Sequence, residues 1–196
     1  MQGKKTQISA KPKKREVLAF LGFKGQKIDG SIDERIDAAM ERCAKEMEAT
    51  GIYSAMDVGE ALKILPGESI RRHLDGCSRA ILMVVTLGQS SEMALRRQSA
   101  INKTDGVIFD ACASSLVEQA ASTLDKMIEN EFEAQGFDCT YRFSPGYGDL
   151  PLSCQPALLE ECGADKALGI VALDSGLMVP SKSITAIIGL TESVKG

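Results

Sequence analysis

The chain has 196 residues, 44% hydrophobic and 26% charged, with a formal net charge of −4. That length and balance suit one globular domain, or a domain with an appendage, and exclude a disordered, collagen-like or coiled-coil chain. No apolar stretch reaches the roughly 18 uninterrupted residues of a membrane-spanning helix, so no membrane partner is expected.

Residues 1–15 hold Lys4, Lys5, Lys11, Lys13, Lys14 and Arg15 and no acid, and read as a solvated, flexible basic tail. From Glu16 onward, 17 basic residues face 27 acidic ones, a body of −10. Nucleic-acid binding needs a basic face for the phosphates, so no nucleic-acid partner is expected. Glu16–Phe23 reads as a short buried segment, and its apolar run Val17–Leu21 is too short for a secretory signal. Ser31-Ile32-Asp33-Glu34 has the form of a capping box. The helix after it repeats apolar residues at Ile36, Met40, Cys43 and Met47 and is expected to run to Gly51. Ile52–Val58 then reads as a strand, Pro66-Gly67 as a turn and Glu68–Leu74 as a short helix.

Ala80–Leu87 is a continuous apolar run of strand length, which suits a central strand covered on both faces. Gly88 turns the chain into a helix reaching about Asn102. A long helix follows from Asp105 to about Gln135. One stripe of it carries Ile108, Cys112, Leu116, Ala120, Leu124 and Ile128. The opposite side carries Ala111, Ser114, Ser115, Ala121 and Ser122, with Glu118 as its one large group. Such a face either packs against a neighbouring element or admits a ligand close to the backbone. Phe137–Phe143 alternates as a strand. Gln155–Cys162 reads as a helix closed by Gly163. Ala167–Leu173 and Ser183–Leu190 read as strands, with a turn at Asp174-Ser175-Gly176. Strands and helices alternate irregularly, which favours an α+β arrangement with a mixed or antiparallel sheet over a doubly wound one.

Six cysteines (Cys43, Cys77, Cys112, Cys139, Cys154 and Cys162) are scattered without a C-x-x-C pair, and His73 is the one histidine. Zinc and iron–sulfur sites need clustered ligands, so no metal site is expected. The thiols read as reduced and mostly buried, as in a cytoplasmic protein. His73 reads as a surface residue on the polar side of its short helix. A histidine-based general base or triad therefore has little support, and no catalytic residue is assigned.

The segment that carries chemistry is Arg142-Phe143-Ser144-Pro145-Gly146-Tyr147-Gly148-Asp149. Arg142, at the end of the expected strand, offers a planar fork for a carboxylate or phosphate. Pro145 restricts the backbone, and Gly146 lets a ligand lie against it. Tyr147 brings a ring that can stack on a base or face a cation. Gly146-x-Gly148 lacks the third glycine of a dinucleotide fingerprint, and no Walker loop or nucleophile elbow is present. On spacing alone the segment fits a structural turn as well as it fits a site.

Arg142-x-x-x-Gly146-Tyr147 resembles the R-x-x-x-G-Y motif of the activation domain of cobalamin-dependent methionine synthase. Leu116-Val117-Glu118 resembles that family's helix segment with a ligand-contacting glutamate. Met178-Val179-Pro180-Ser181-Lys182-Ser183 resembles its M-x-P-x-x-S segment, and Val84–Gly88 its strand and turn before the long helix. Together these cover roughly residues 65–190. The resemblance implies a C-shaped single domain around a twisted, mainly antiparallel sheet with flanking helices. It divides the chain into the basic tail (1–15), an N-terminal helical extension (16–64) and an activation-domain-like core (65–196). It also implies an S-adenosylmethionine site formed by Glu118, Arg142, Ser144, Gly146 and Tyr147. Arg142 would meet the methionyl carboxylate, the backbone at Ser144 and Gly146 the adenine or ribose, and Tyr147 the nucleoside or sulfonium.

In the family, this domain supports reductive reactivation. An electron from flavodoxin or a similar donor converts cob(II)alamin to cob(I)alamin, which takes the methyl group of S-adenosylmethionine. No D-x-H-x-x-G segment for cobalt's lower ligand occurs here, since His73 is followed by Leu-Asp-Gly. Cobalamin is therefore expected only on a partner, the cobalamin module of a shortened methionine synthase, with this chain as a stand-alone reactivation subunit in methionine biosynthesis. The alternatives are an activator of another corrinoid methyltransferase and a non-catalytic binding module that has lost the ligand.

Overall fold

The structure, a computed structural model, describes residues 3–193. Its centre is a five-stranded sheet, antiparallel throughout and curled into a half-barrel. In chain order the elements are β1 (Lys4–Ile8), α1 (Lys14–Phe20), α2 (Gly30–Glu46), β2 (Ala49–Asp57), α3 (Val58–Ile64), α4 (Glu68–His73), β3 (Arg79–Thr86), α5 (Gly88–Ile101) and α6 (Lys103–Glu133). They continue with β4 (Phe137–Cys139), α7 (Gln155–Cys162), α8 (Ala164–Leu168), β5 (Val171–Ala172), β6 (Met178–Val179) and β7 (Ser183–Glu192). The strand order is β1-β2-β3-β7-β4, and β5 pairs with β6 as a separate two-stranded hairpin. The α+β class and the antiparallel sheet expected from the sequence are what the chain adopts.

The apolar run in β3 explains the layering. It lies between β2 and β7, and successive side chains point to opposite faces. Ile81, Met83 and Val85 enter one core with Ala186 and Ile188 of β7 and the stripe of α6. Ala80, Leu82 and Val84 enter a second core with Ile52, Ile70, Leu150, Leu158 and Leu159. Every one of those six β3 residues is fully buried, so both faces of the strand are covered, as its composition demands.

The N-terminal third differs from the sequence expectation. The expected flexible tail supplies β1, an edge strand paired with β2 from Lys4–Tyr53 to Ile8–Ala49. Ile8 is buried, Lys4 reaches Glu131 on α6, and Lys5 Nζ donates to the Ala167 carbonyl. Lysines on an exposed edge keep it from pairing with other chains, so basic composition there is compatible with a strand. The expected helical extension likewise contains β2, an interior strand. α2 is capped by Asp29, whose carboxylate accepts from the Ser31 amide, so Ser31 is not the cap. α2 also stops at Glu46 rather than Gly51, and Gly51 lies inside β2, where Leu124 and Ile8 crowd its Cα. Further along, Ala164–Leu168 is helical, which shortens the strand expected over Ala167–Leu173 to Val171–Ala172.

The middle of α6, residues 111–125, is buried or half-buried on every side, and part of its small face is covered by α1. Near its start, Ser115 accepts from the Lys13 amide and donates to Glu16, which docks α1. Farther along, Glu118 and Ser122 are only half-buried. All six cysteines are free thiols, with Cys43, Cys112, Cys154 and Cys162 buried. Burial pushes the Cys43 and Cys112 thiols up to about 12, so they remain protonated. No helix among the described residues is long and apolar enough to cross a membrane, and none of their side chains cluster as a metal site.

Candidate functional site

β7 and α6 form the floor of a cleft, and the segment 142–150 forms its rim. β4 ends at Cys139, short of the strand expected to Phe143. The cause is local: the Gly189 amide donates to the Thr140 hydroxyl (2.8 Å), which interrupts the backbone ladder. Pairing resumes at Phe143, whose amide and carbonyl both bond Ile187 of β7 (2.9 and 2.7 Å). Arg142 therefore precedes a single two-bond bridge rather than ending a regular strand. The bridge still anchors it firmly.

After Phe143 the chain makes a tight internal turn. The Gly146 amide donates to the Leu150 carbonyl (2.8 Å), and the Tyr147 amide to the Ser144 carbonyl (3.1 Å). Gly146 and Gly148 both have positive φ, +95° and +55°, which side-chain-bearing residues rarely adopt. A Cβ at Gly148 would also collide with Ser69, so the rim lies directly on α4. Asp149 completes the attachment. Its carboxylate accepts from the Ser69 and Glu68 amides, both at 2.8 Å, across the start of α4.

These backbone donors, Ser69 first, hold the Asp149 carboxyl down at about 2 against an ordinary 3.8. The lowered pKa means the folded state favours the ionised form. The resulting stabilisation is full above about pH 4 and is lost as the pH falls toward 2. Wild type is expected to melt higher than Asp149→Asn at pH 5, and the two should converge at pH 2. A gap in Tm that persists at pH 2 would contradict this role for Asp149.

All five residues expected to bind a ligand border this cleft. One lobe, of about 360 Å³, is lined by Glu118, Ser144, Gly146 and Tyr147 together with Met178, Ser183 and Thr185. The adjoining lobe, of about 330 Å³, is lined by Arg142, Asp125 and Tyr141 and shares Glu118, Ser144 and Tyr147. Together they fall in the size range of small-molecule sites. The Tyr147 ring is 64% exposed and leans edge-on toward Phe143, at 6.2 Å between centroids. The Gly146 amide is consumed inside the turn, so what Gly146 offers a ligand is its bare Cα surface.

The M-x-P-x-x-S segment borders the same cleft. Ser183 Oγ donates to the Pro180 carbonyl (2.7 Å), across a loop that begins with the cis Val179–Pro180 bond. Lys182 binds Asp110 and Ser114 of α6 at 3.0 and 2.8 Å, which ties this loop to the long helix. The Thr185 hydroxyl donates to Gln155 Oε1 at 2.8 Å in the buried floor.

His73 is not a surface residue. It is half-buried behind the rim, with Nε2 3.0 Å from the Thr140 hydroxyl and its ring against Tyr141 and Phe143. Burial lowers its pKa, which favours the neutral ring that can accept from Thr140. Its place is behind the rim rather than in the cleft.

Sequence reasoning missed Asp125, Tyr141, Gln155 and Thr185. Asp125 was within reach: it lies seven residues after Glu118, two helical turns along the same face of α6. Arg142 places Nε 3.3 Å from Asp125 and donates from Nη2 to Ser122 Oγ at 3.4 Å. Burial raises the Asp125 pKa, opposed by the neighbouring Arg142 charge.

No known family description matches this chain, and no curated protein matches it. Among solved structures, the crystal structure of the MetH reactivation domain bound to AdoHcy matches with a TM-score of 0.72. At 14% identity the match covers all of this chain and 80% of that one. The chain thus has the fold of the MetH reactivation domain, in line with the resemblance carried by its motifs.

Proposed function

We propose that this protein binds S-adenosylmethionine in the two-lobed cleft and serves as a reactivation subunit for a corrinoid held by a separate protein, in the first instance a methionine synthase. The observation that carries this reading is the convergence of Glu118, Arg142, Ser144, Gly146 and Tyr147 on one cleft. They come from two separate stretches of chain, helix α6 and the rim segment 142–147. The fold is one that a solved relative in shape presents with AdoHcy bound.

The residues suit the ligand chemically. Arg142 is a fixed cation at one end, able to take a carboxylate with two parallel donors. Tyr147 offers an exposed ring that borders both lobes, where a purine or a sulfonium finds a π face. Glu118 presents a carboxylate to both lobes. When bound, the sulfonium supplies an electrophilic methyl group to a reduced cobalt centre on the partner. A flavodoxin-like protein would supply the electron. The chain needs to contribute no acid or base. Its part is to hold the donor in one orientation at an open cleft mouth.

Calorimetric titration with S-adenosylmethionine and AdoHcy tests the first half. Saturable binding is expected, and Tyr147→Ala should weaken it about tenfold while shifting Tm by less than about 2 °C, because the ring is mostly solvent-exposed. A large fall in Tm without ligand would make Tyr147 a structural residue instead. The second half is tested by mixing chain, corrinoid partner, reductant and methyl-labelled S-adenosylmethionine. Label should appear on the corrinoid only when the chain is present.

A further inference from the structure

We propose that Asp125 and Arg142 form a clamp for the zwitterionic end of the ligand, with Arg142 taking the α-carboxylate and Asp125 the α-ammonium. The proposal rests on the ligand reading above and assigns a residue that reading did not use.

Three observations support it. First, neither group is saturated by the other. Arg142 has five N–H donors and uses two edges, toward Asp125 and Ser122. Asp125 has the Arg142 charge beside it, but its carboxylate accepts no hydrogen bond from the described residues. The Asp125 carboxylate is 34% exposed and faces the lobe, and an ammonium group is a charged donor that suits it. Second, both side chains remain open to the lobe they line, at 24% and 34% exposure. A small zwitterion can therefore reach both without displacing the backbone.

Third, the spacing on α6 divides the labour. Asp125 lies about 10 Å along the helix axis from Glu118, since seven residues rise about 1.5 Å each. Asp125 lines only the lobe that holds Arg142, whereas Glu118 and Tyr147 border both lobes. Charge agrees with this division. Two carboxylates and one guanidinium leave the cleft at −1, opposite in sign to a sulfonium-bearing amino acid. Burial already disfavours the Asp125 anion, so a second cation at this position relieves a cost present in the free protein.

The test uses Asp125→Asn, titrated with three probes: AdoHcy, its deaminated analogue that keeps the carboxylate, and methylthioadenosine, which lacks the amino-acid end. The expected result is a loss of about tenfold or more in AdoHcy affinity, with no loss for the other two. Asp125→Glu, which keeps the charge, should recover part of the AdoHcy affinity, and circular dichroism should show both variants folded. An equal loss for AdoHcy and its deaminated analogue would overturn the clamp and make Asp125 a residue that only positions Arg142. Unchanged AdoHcy binding would overturn it as well. Failure of the wild-type chain to bind AdoHcy or S-adenosylmethionine is a different outcome, which overturns the ligand reading itself and the clamp with it.

Discussion

Arg142→Ala is expected to weaken S-adenosylmethionine binding about 100-fold, close to 2.7 kcal/mol, while the protein stays folded. Hydrogen bonds to a charged group contribute about 1.5–3 kcal/mol each, and a fork facing a carboxylate can make two. The guanidinium sits in a half-buried lobe rather than in open water, which preserves most of that value. The cost to folding is smaller. Its ion pair with Asp125 is partly solvated, so losing it should cost no more than about 1 kcal/mol. Arg142→Lys keeps the charge but not the fork, and should fall between wild type and alanine. Calorimetry and thermal unfolding of the same preparations check both halves. Binding within threefold of wild type in Arg142→Ala would remove Arg142 from the site.

Leu124→Ala should show the opposite pattern, a large loss of stability with the cleft intact. Leu124 is fully buried on α6, and its Cδ2 fills the space that Gly51 leaves open on β2. Removing its side chain creates a cavity between helix and sheet that neither rigid element can close. The expected cost is about 2–5 kcal/mol. For a chain of this size that corresponds to a Tm lower by roughly 5–15 °C. Glu118 and Asp125 project from the cleft side of the same helix, so ligand affinity measured well below the transition should change little. A shift of under 2 °C would mean that the helix–sheet contact tolerates the loss, and that α6 is held mainly through α1, α2 and α5.

The contrast between these two residues shows how much of the protein could be read in advance. Leu124 was visible as part of an apolar stripe at helical spacing, and Ala80–Leu87 as a strand buried on both faces. Both signals are periodicities of side-chain type, and burial enforces them one element at a time. The R-x-x-x-G-Y segment was visible as a tight turn with a cation before it. Its two positive-φ glycines follow from local backbone sterics. Asp125 was not singled out, because a carboxylate on a helix gains meaning only when a neighbour arrives. Arg142 comes 17 residues later, beyond the end of α6 and the short strand β4.

The errors at the N-terminus have a related cause. Lys4 and Lys5 look like tail residues because their charges favour water. Their backbone, however, pairs with β2, and lysine side chains stay solvated on an edge strand. Backbone hydrogen bonding is nearly blind to side-chain type, so composition did not reveal the pairing. Thr140 makes the same point at the site. Its hydroxyl takes the Gly189 amide, ends β4 early and leaves Phe143 to anchor the rim.

By itself, the amino-acid sequence determined the longer helices and the central strands β3 and β7, the double-sided burial of β3, the tight rim turn and the residue types able to meet a charged nucleoside. The tertiary structure alone decided that β1 closes one edge of the sheet, that His73 lies behind the rim, and that Asp125 stands beside Arg142 in the cleft. The physical reason is range. Periodicity and backbone sterics act within a few residues, whereas a site is made of groups whose separation is set by the packing of every element between them.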